Sequence, residues 1–273
     1  MRVLSGEDTA DLSGLVDRDP VAHIFVRAQL DVHGSAAPEG GPLVLGYFDD
    51  GQLTSACWVG ANIVPLNCTA LQAKRFGEAV LRLGRSFSSL FGPASAVRGM
   101  WEVLRFGPQT AFDIRASQPL LATGCPPAVP PAATVRPSVP EEYDAVLPAC
   151  AAMFQEELGY SPLGGGGGAY RQRVRSLIDQ GHSFVDIAPD GAVIFKSELG
   201  TVTRHVTQIQ GVWMSPEFRG RGLAAGYMAA VVRHALMIAP VTSLYVNDFN
   251  APALAAYQRV GFEKVGDFAT VLF

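Results

Sequence analysis

The sequence predicts an α/β (α+β) protein built from two units of similar size. Segments with strand composition and segments with helical spacing of apolar residues alternate on both sides of a proline-rich stretch. In the second half, one predicted strand runs into a glycine- and arginine-rich loop that opens a long helix. At 273 residues, the chain is long enough for two domains of about 100–200 residues each.

The bulk composition is that of a globular protein with a modest charged surface. Hydrophobic residues make up 48% of the chain and charged residues 17%, which argues against disorder over most of its length. The formal net charge is -4 and the sequence pI is about 5.7. Because no basic stripe of the kind that binds DNA or RNA is visible, we expect no nucleic-acid partner.

The cysteines and the first residues indicate the compartment. The four cysteines lack the spacing of metal ligands, and we interpret them as small hydrophobic residues in a reducing cytoplasm. The histidines show no ligand spacing either, so we expect no metal. The first residues lack an apolar signal core, and no stretch approaches the roughly 18 apolar residues of a membrane span. The sequence therefore predicts a cytoplasmic protein with no membrane partner.

A proline-rich segment at residues 126–133 separates the two predicted domains. Its four prolines among small residues favour an extended spacer, because proline fits neither a helix interior nor a central strand. We therefore predict an N-terminal domain over residues 1–125 and a C-terminal domain over 134–273.

The N-terminal domain shows the order expected of a half-sized α/β unit. Asp19-Pro20 breaks its first helical stretch, and Asp49-Asp50-Gly51 is a strong hairpin signal between two strands. The predicted elements are helical pieces over 8–30, strands over 43–48 and 53–64, a helix over 71–83, a strand over 87–90 and a further helix.

The C-terminal domain begins with two predicted helices separated by Pro162 and the five glycines at 164–168, a run that favours a flexible loop. The predicted elements are an extended piece at 134–136, helices over 141–158 and 170–180, strands over 183–187, 192–199 and 206–214, a helix over 222–238, a strand over 244–246, a short helix from Pro252 and a closing pair of strands ending at Phe273.

The loop after the strand at 206–214 carries the chemistry. Gly220 and Gly222 remove side chains where the backbone approaches a ligand or adopts a positive φ, and Arg219 and Arg221 add two permanent cations. The helix that follows directs free N–H groups and a partial positive charge at this loop. Together these features predict a cradle for a pyrophosphate group.

Two alternatives to the pyrophosphate cradle remain. One is a surface turn with solvated arginines. The other is a Rossmann dinucleotide site, with Asp248 as the ribose acid. Gly220, Gly222 and Gly226 give Gly-x-Gly-x-x-x-Gly rather than the required Gly-x-Gly-x-x-Gly, and several strands precede the loop, which disfavours the Rossmann alternative.

A second block completes a resemblance to a known family. Asn250 is a good helix N-cap, and Tyr257 follows seven residues later, before Gly261-Phe262. This block resembles the second signature of the GNAT superfamily of N-acetyltransferases. The first signature, Arg/Gln-x-x-Gly-x-Gly/Ala, is matched by Arg219, Gly222 and Ala224.

The resemblance, which covers about 134–273, implies a GNAT fold with a mixed, mostly antiparallel central sheet flanked by helices. It implies that the sheet opens between the strand ending at Met214 and the next strand, and that acetyl-CoA (coenzyme A) lies there as co-substrate. The implied cofactor-binding residues are Val212, Trp213, Met214, Arg219, Gly220, Arg221, Gly222, Leu223, Ala224, Asn250 and Tyr257.

The reaction implied by the resemblance is direct attack of a neutral amine on the thioester. Tyr257 is the candidate general acid for the leaving thiolate; the alternative is a core tyrosine on an amphipathic helix. The base is open, because the strand before the loop carries Gln208 and Gln210 rather than a carboxylate. Candidates for the base are Glu156, Glu157, His205 and a chain of waters.

The remaining predictions concern function and partners. We expect an N-acetyltransferase acting on a primary amine of a small molecule or protein; the alternatives are a silent CoA-binding sensor or scaffold and a transferase for longer acyl groups. The glycines at 164–168 are either a connector or a lid over the acceptor. The domain over 1–125 resembles a degenerate GNAT half without the glycine loop, which we expect to be catalytically silent and to shape the acceptor pocket or a homodimer contact.

Overall fold

The computed structural model describes residues 1–273, which form two compact units. Unit 1 contains Met1–Leu121, Tyr245–Phe249 and Lys264–Phe273, and unit 2 contains Ala122–Leu244 and Asn250–Glu263. The predicted boundaries at residues 125 and 134 stay a prediction, and the compact units differ from them by assigning the last strand of the chain to unit 1. No helix combines the length and the apolar character needed to span a membrane.

Unit 1 begins with a short strand and two helices and continues with three consecutive strands. Its elements are β1 (Arg2–Val3), α1 (Thr9–Val16), α2 (Ile24–His33), β2 (Leu43–Asp49), β3 (Gln52–Val59), β4 (Asn62–Leu66), α3 (Ala70–Leu83), β5 (Ser89–Pro93), α4 (Ala94–Leu104) and β6 (Asp113–Thr123).

The predicted hairpin of unit 1 is present, but the strand after it is divided. Asp50 (φ 47°) and Gly51 (φ 78°) both have positive φ, as a tight hairpin turn between β2 and β3 requires. The prediction of one strand over 53–64 is wrong, because the chain turns at residues 60–61 and β4 pairs back on β3. Gly60 and Asn62 stand at this turn, but apolar residues lie on both sides of them, which favours one continuous strand.

The second half of the chain, whose last strand belongs to unit 1, repeats the same order of elements. They are β7 (Arg136–Pro137), α5 (Tyr143–Leu158), α6 (Gly168–Asp179), β8 (Ser183–Ile187), β9 (Val193–Val202), β10 (Val206–Met214), α7 (Ala224–Ala235), β11 (Val241–Tyr245), α8 (Ala251–Val260) and β12 (Glu263–Leu272). The predicted closing pair of strands is wrong, since a single strand, β12, ends the chain.

The sheet of each unit is mixed and mostly antiparallel, as predicted. In unit 1 the strands β1 to β4 are antiparallel neighbours, β4 and β5 are parallel, and β12 adds to β5 in antiparallel fashion. In unit 2 the strands β7 to β10 are antiparallel and β10 and β11 are parallel. Each unit therefore contains a parallel pair of strands. The pair in unit 2, β10 and β11, positions the candidate site.

The proline-rich segment 126–133 packs on helices of unit 2 rather than standing free as a spacer. The Ala132 amide donates to the Gly226 carbonyl at 2.8 Å, and the Ala128 amide donates to the Val260 carbonyl at 2.9 Å. A side chain at Gly226 would contact the Pro130 carbonyl. The segment is therefore held against both α7 and α8 by backbone hydrogen bonds.

Strand β12 contributes to the hydrophobic core of unit 1. Val271 is 1% exposed and belongs to the same core cluster as Ile63, Phe76 and Leu90, whereas Val265 near the start of the strand is 54% exposed. The last strand of the chain thus extends the sheet of unit 1 beyond β5 and contributes side chains to its core.

We predict that Val271→Ala destabilises unit 1 by about 1–3 kcal/mol, because it leaves a cavity in this core. Val265→Ala is the matched control and should change the free energy of unfolding by less than about 0.5 kcal/mol. Urea unfolding followed by tryptophan fluorescence measures both changes, and equal effects of the two variants would contradict the assignment of β12 to this core.

Candidate functional site

Strands β10 and β11 separate part of the way along their length. Their parallel pairing joins Val206–Gln208 to Val241–Ser243, and beyond it β10 continues to Met214 with β9 as its partner. The residues after Gly211 therefore direct backbone groups into a gap in the sheet of unit 2. Val212, Trp213 and Met214, the predicted partners of an extended ligand, lie on this edge and are partly exposed.

A bulge at Gly211 shapes the same segment. The register with β9 shifts between Gln210 and Trp213, and Gly211 has φ 59°, which favours glycine. A side chain here would also meet Lys196 Nζ and Glu198 Oε1 at 2.9 Å. Sequence reasoning missed this bulge, because an isolated glycine in an apolar strand gives no unique signal.

The loop after β10 has the backbone shape that its glycines predict. Gly220 and Gly222 have φ of 73° and 74°. Helix α7 then begins with no side-chain cap, and the Tyr227 amide donates to the Leu223 carbonyl at 3.1 Å. The amides at 224–226 have no intrahelical acceptor, so this end of the helix presents free donors and a partial positive charge.

The corresponding helix of unit 1 begins differently. Thr69 caps α3 by accepting from the Gln72 amide, and the Gln72 side chain accepts from the Thr69 amide at 2.9 Å. This capping box satisfies the N-cap amide and the third amide of α3, whereas no side chain caps the corresponding end of α7. Unit 1 therefore lacks an arginine–glycine loop at residues 65–70, and its helix N-terminus there is capped by its own side chains.

The two loop arginines contact protein groups. Arg219 Nε donates to the Met214 carbonyl at 2.8 Å, and Nη2 forms an ion pair with Glu156 Oε2 at 2.8 Å. The Arg221 guanidinium stacks over the Phe218 ring, 5.1 Å from its centroid. Both Arg219 and Glu156 are about half exposed, so a stronger anionic ligand has access to this pair.

Glu156 connects α5 to the edge of β10 and to the loop that follows it. Its Oε1 accepts from the Trp213 indole nitrogen at 3.0 Å, besides the contact with Arg219. This glutamate was predicted to line the acceptor pocket, but in the structure both of its partners are predicted cofactor-binding residues. Its neighbour Glu157 instead lies close enough to Tyr257 to act on it electrostatically.

Helix α8 positions Asn250 and Tyr257. The Asn250 side chain caps the helix by accepting from the Ala253 amide at 3.2 Å. Tyr257 is buried, with its ring 6.0 Å from that of Phe262. Burial first, and the Glu157 charge second, raise the pKa of Tyr257 well above its usual value. Its hydroxyl is therefore protonated throughout the physiological range.

The other candidate bases lie at different positions. His205 is exposed in the turn before β10, at the opposite end of that strand from the loop, which removes it from the constellation. Gln208 is buried and its Nε2 has no hydrogen-bond partner, whereas Gln210 Nε2 lies 3.4 Å from Glu198 Oε2. A carboxylate thus lies beside this strand, but it comes from β9.

The buried pair of Lys196 and Glu198 was missed by sequence reasoning. The two side chains are on one face of β9, and Lys196 Nζ donates to Glu198 Oε1 at 2.5 Å. Cys150, interpreted as a small core hydrophobe, has its Sγ 3.4 Å from the same ammonium. The available signal was the spacing of two charges, two residues apart, within an otherwise apolar strand.

Comparisons with known proteins match two segments of the chain. Residues 153–262 match the model of the acetyltransferase (GNAT) family, and residues 43–146 match a domain of unknown function, DUF4081. No curated protein matches the sequence.

Several solved structures share the fold over the whole chain. A Drosophila protein has a TM-score of 0.66 at 12% identity and covers 100% of this chain and 98% of its own. A GNAT-family acetyltransferase from Colwellia psychrerythraea has a TM-score of 0.58 at 13% identity and covers 100% of both chains. A tandem GNAT protein from the clavulanic acid biosynthesis pathway has a TM-score of 0.55 at 14% identity and covers 98% and 97%. At these identities the likeness concerns the fold alone.

We predict that Glu156→Gln strengthens the binding of acetyl-CoA by up to about fivefold, because the ligand no longer competes with an exposed ion pair for Arg219. Glu217→Gln, in the same loop, is the control for the change in net charge. Calorimetric titration measures both affinities, and weaker binding to the Glu156 variant would show that this carboxylate supports the ligand instead.

Proposed function

We propose that this chain is an acetyl-CoA-dependent N-acetyltransferase, because residues 153–262 match the acetyltransferase (GNAT) family and the fold is that of two GNAT-like units. The family match implies acyl transfer from an acyl-CoA. The finer proposal is that unit 2 acetylates a primary amine of a small molecule or a protein by direct attack of that amine on the thioester.

One observation carries the proposal. An uncapped helix end and two positive-φ glycines adjoin the open edge of β10, so anionic and amide groups of one extended ligand find donors along a continuous path. The residues present therefore fit coenzyme A. The amides from Arg219 to Ala224 would bind the pyrophosphate, and Val212–Met214 would pair with the pantetheine arm. Asn250 would contact that arm and Tyr257 the sulfur.

Tyr257 would stabilise the leaving thiolate mainly by donating a hydrogen bond. The pKa of its hydroxyl is raised above 10 while an ordinary thiol has a pKa of about 8.5, so complete proton transfer to the sulfur is unfavourable. A buried donor aimed at a developing charge is nevertheless effective, because it needs no reorganisation.

Glu157 is the better candidate of the two paired glutamates for receiving the amine's proton, directly or through water. It lies close enough to Tyr257 to act on it electrostatically, and Tyr257 is the residue assigned to the sulfur. Unit 1 would not bind coenzyme A in this way, because the Thr69 capping box closes the equivalent helix end.

We predict that the double variant Arg219→Ala/Arg221→Ala weakens acetyl-CoA binding by about ten- to a hundredfold, since it removes two charge-assisted contacts. Arg204→Ala/Arg233→Ala removes the same charge away from the loop and should bind like the wild type. Calorimetric titration measures the affinities.

Thiol release from acetyl-CoA in the presence of an amine panel tests turnover itself. Release that requires an amine supports the transferase. Tight binding of acetyl-CoA without thiol release in the presence of any amine would favour a sensor or scaffold. Thiol release only from longer acyl-CoAs would show that the acyl donor is not acetyl-CoA.

We predict that Tyr257→Phe lowers kcat by about 10- to 100-fold and leaves the affinity for acetyl-CoA unchanged, because the lost hydrogen bond forms only as the thiolate departs. Wild-type kcat should show no loss from tyrosine ionisation up to about pH 10, since the pKa of Tyr257 lies above that value. Tyr227→Phe, at another buried tyrosine of unit 2, should keep the wild-type kcat. Equal losses in the two variants would count against a special role for Tyr257.

A further inference from the structure

The buried ion pair of Lys196 and Glu198 lies at the bulge of β10. The two side chains are 1% and 7% exposed, and Lys196 Nζ donates a hydrogen bond to Glu198 Oε1 at 2.5 Å. Glu198 is in register with Gln210, directly before Gly211, whose missing side chain makes room for the pair. The carboxylate therefore lies one residue from the strand segment that we assign to the pantetheine arm.

The second carboxylate oxygen, Oε2, has no close donor. Its neighbours are Gln210 Nε2 at 3.4 Å and Arg173 Nη2 at 3.7 Å. Hydrogen bonds between charged groups normally measure about 2.7–2.9 Å, and a buried carboxylate is expected to have such partners. Glu198 Oε2 is thus a buried anionic acceptor whose present neighbours leave it only loosely satisfied.

Arg173 is a replaceable neighbour of this oxygen. Its side chain is 47% exposed, and it belongs to α6, the helix that follows the glycine run at 164–168. A half-exposed arginine at 3.7 Å gains little from the contact and loses little when another cation takes its place.

Three aromatic side chains, Phe154, Tyr160 and Tyr170, form a wall that extends from the surface to the ion pair. Phe154 contacts Tyr160 and Tyr170, with ring centroids 5.3 and 5.4 Å apart, and Tyr160 is half exposed. The Tyr170 hydroxyl donates to the carbonyl of Cys150 at 2.8 Å, which places the inner end of the wall beside Lys196 and Glu198. Aromatic faces next to an anion suit an aliphatic chain that ends in a cation.

We propose that the acceptor carries a second cationic group besides the reacting amine, and that Glu198 Oε2 binds this group in the place that Arg173 occupies here. The inference rests on the transferase function proposed above and narrows its acceptor to a diamine or an amino-guanidine with a hydrocarbon spacer. Glu198 is then a residue that positions the acceptor and determines specificity.

The anchored group is a second cation because a carboxylate holds an amine in its protonated form, which is not nucleophilic. Burial raises the pKa of Glu198, but the charge and hydrogen bond of Lys196 outweigh burial and hold that pKa below its usual value. Glu198 therefore stays ionised and serves as an anchor, while the reacting amine loses its proton elsewhere.

The test compares straight-chain α,ω-diamines of two to eight carbons with amino alcohols of the same length, each with saturating acetyl-CoA. We expect one diamine length to exceed its matched amino alcohol by about tenfold or more in kcat/KM for thiol release. Arg173→Ala should lower the KM for that diamine by about threefold, and Arg171→Ala, an exposed arginine of the same helix, should leave it unchanged. Equal use of diamines and amino alcohols would overturn the inference.

A second variant tests the anchor without relying on turnover. Lys196→Met/Glu198→Gln removes both buried charges together, which avoids leaving a single unpaired one. Calorimetric binding of the diamine to the CoA-bound protein should weaken at least about tenfold in this double variant, with the acetyl-CoA affinity as the check of folding. Unchanged diamine binding would reject Glu198 as the anchor, whereas diamine binding without thiol release from any amine would reject the transferase and keep the anchor.

Discussion

The divergence of two parallel strands is the constraint on which the candidate site depends. Once β10 passes Gln208, its backbone groups on one side no longer face β11. Unpaired backbone donors and acceptors inside a protein are costly, so such an edge is stable only if water or a ligand satisfies it. The bulge at Gly211, the glycine loop and the open end of α7 all lie at this divergence and extend the same row of donors.

The equivalent helices of the two units, α3 and α7, have different N-termini. In unit 1 a threonine and a glutamine close the first turn of α3 with their own side chains. In unit 2 the first turn of α7 has no such cap, and the residue before it follows a positive-φ glycine. A helix capped by its own side chain is locally more stable, whereas an uncapped helix keeps backbone donors that can bind a ligand. In α7 some local stability is therefore given up for donors that remain available to a ligand.

Short-range patterns in the sequence predicted much of this structure. The hairpin at Asp50-Gly51, the strand ending at Met214 and the cap at Asn250 each follow from residues that are neighbours in the chain. The turn at 60–61 was missed because the apolar residues on both sides of Gly60 and Asn62 favour one continuous strand. The pairing of β12 with β5 and the meeting of Glu198 with Arg173 join distant segments, and a single sequence holds no local trace of them.

The position of β12 has a consequence for how the chain acquires its structure during synthesis. Translation produces β5 about 170 residues before the strand that pairs with it. Until residues 263–272 leave the ribosome, that edge of the nascent sheet lacks β12 and offers a template for association with other chains. Unit 1 is thus complete only after residues 263–272 have been made, and cutting the gene between the two halves would deprive it of a strand rather than release an independent domain.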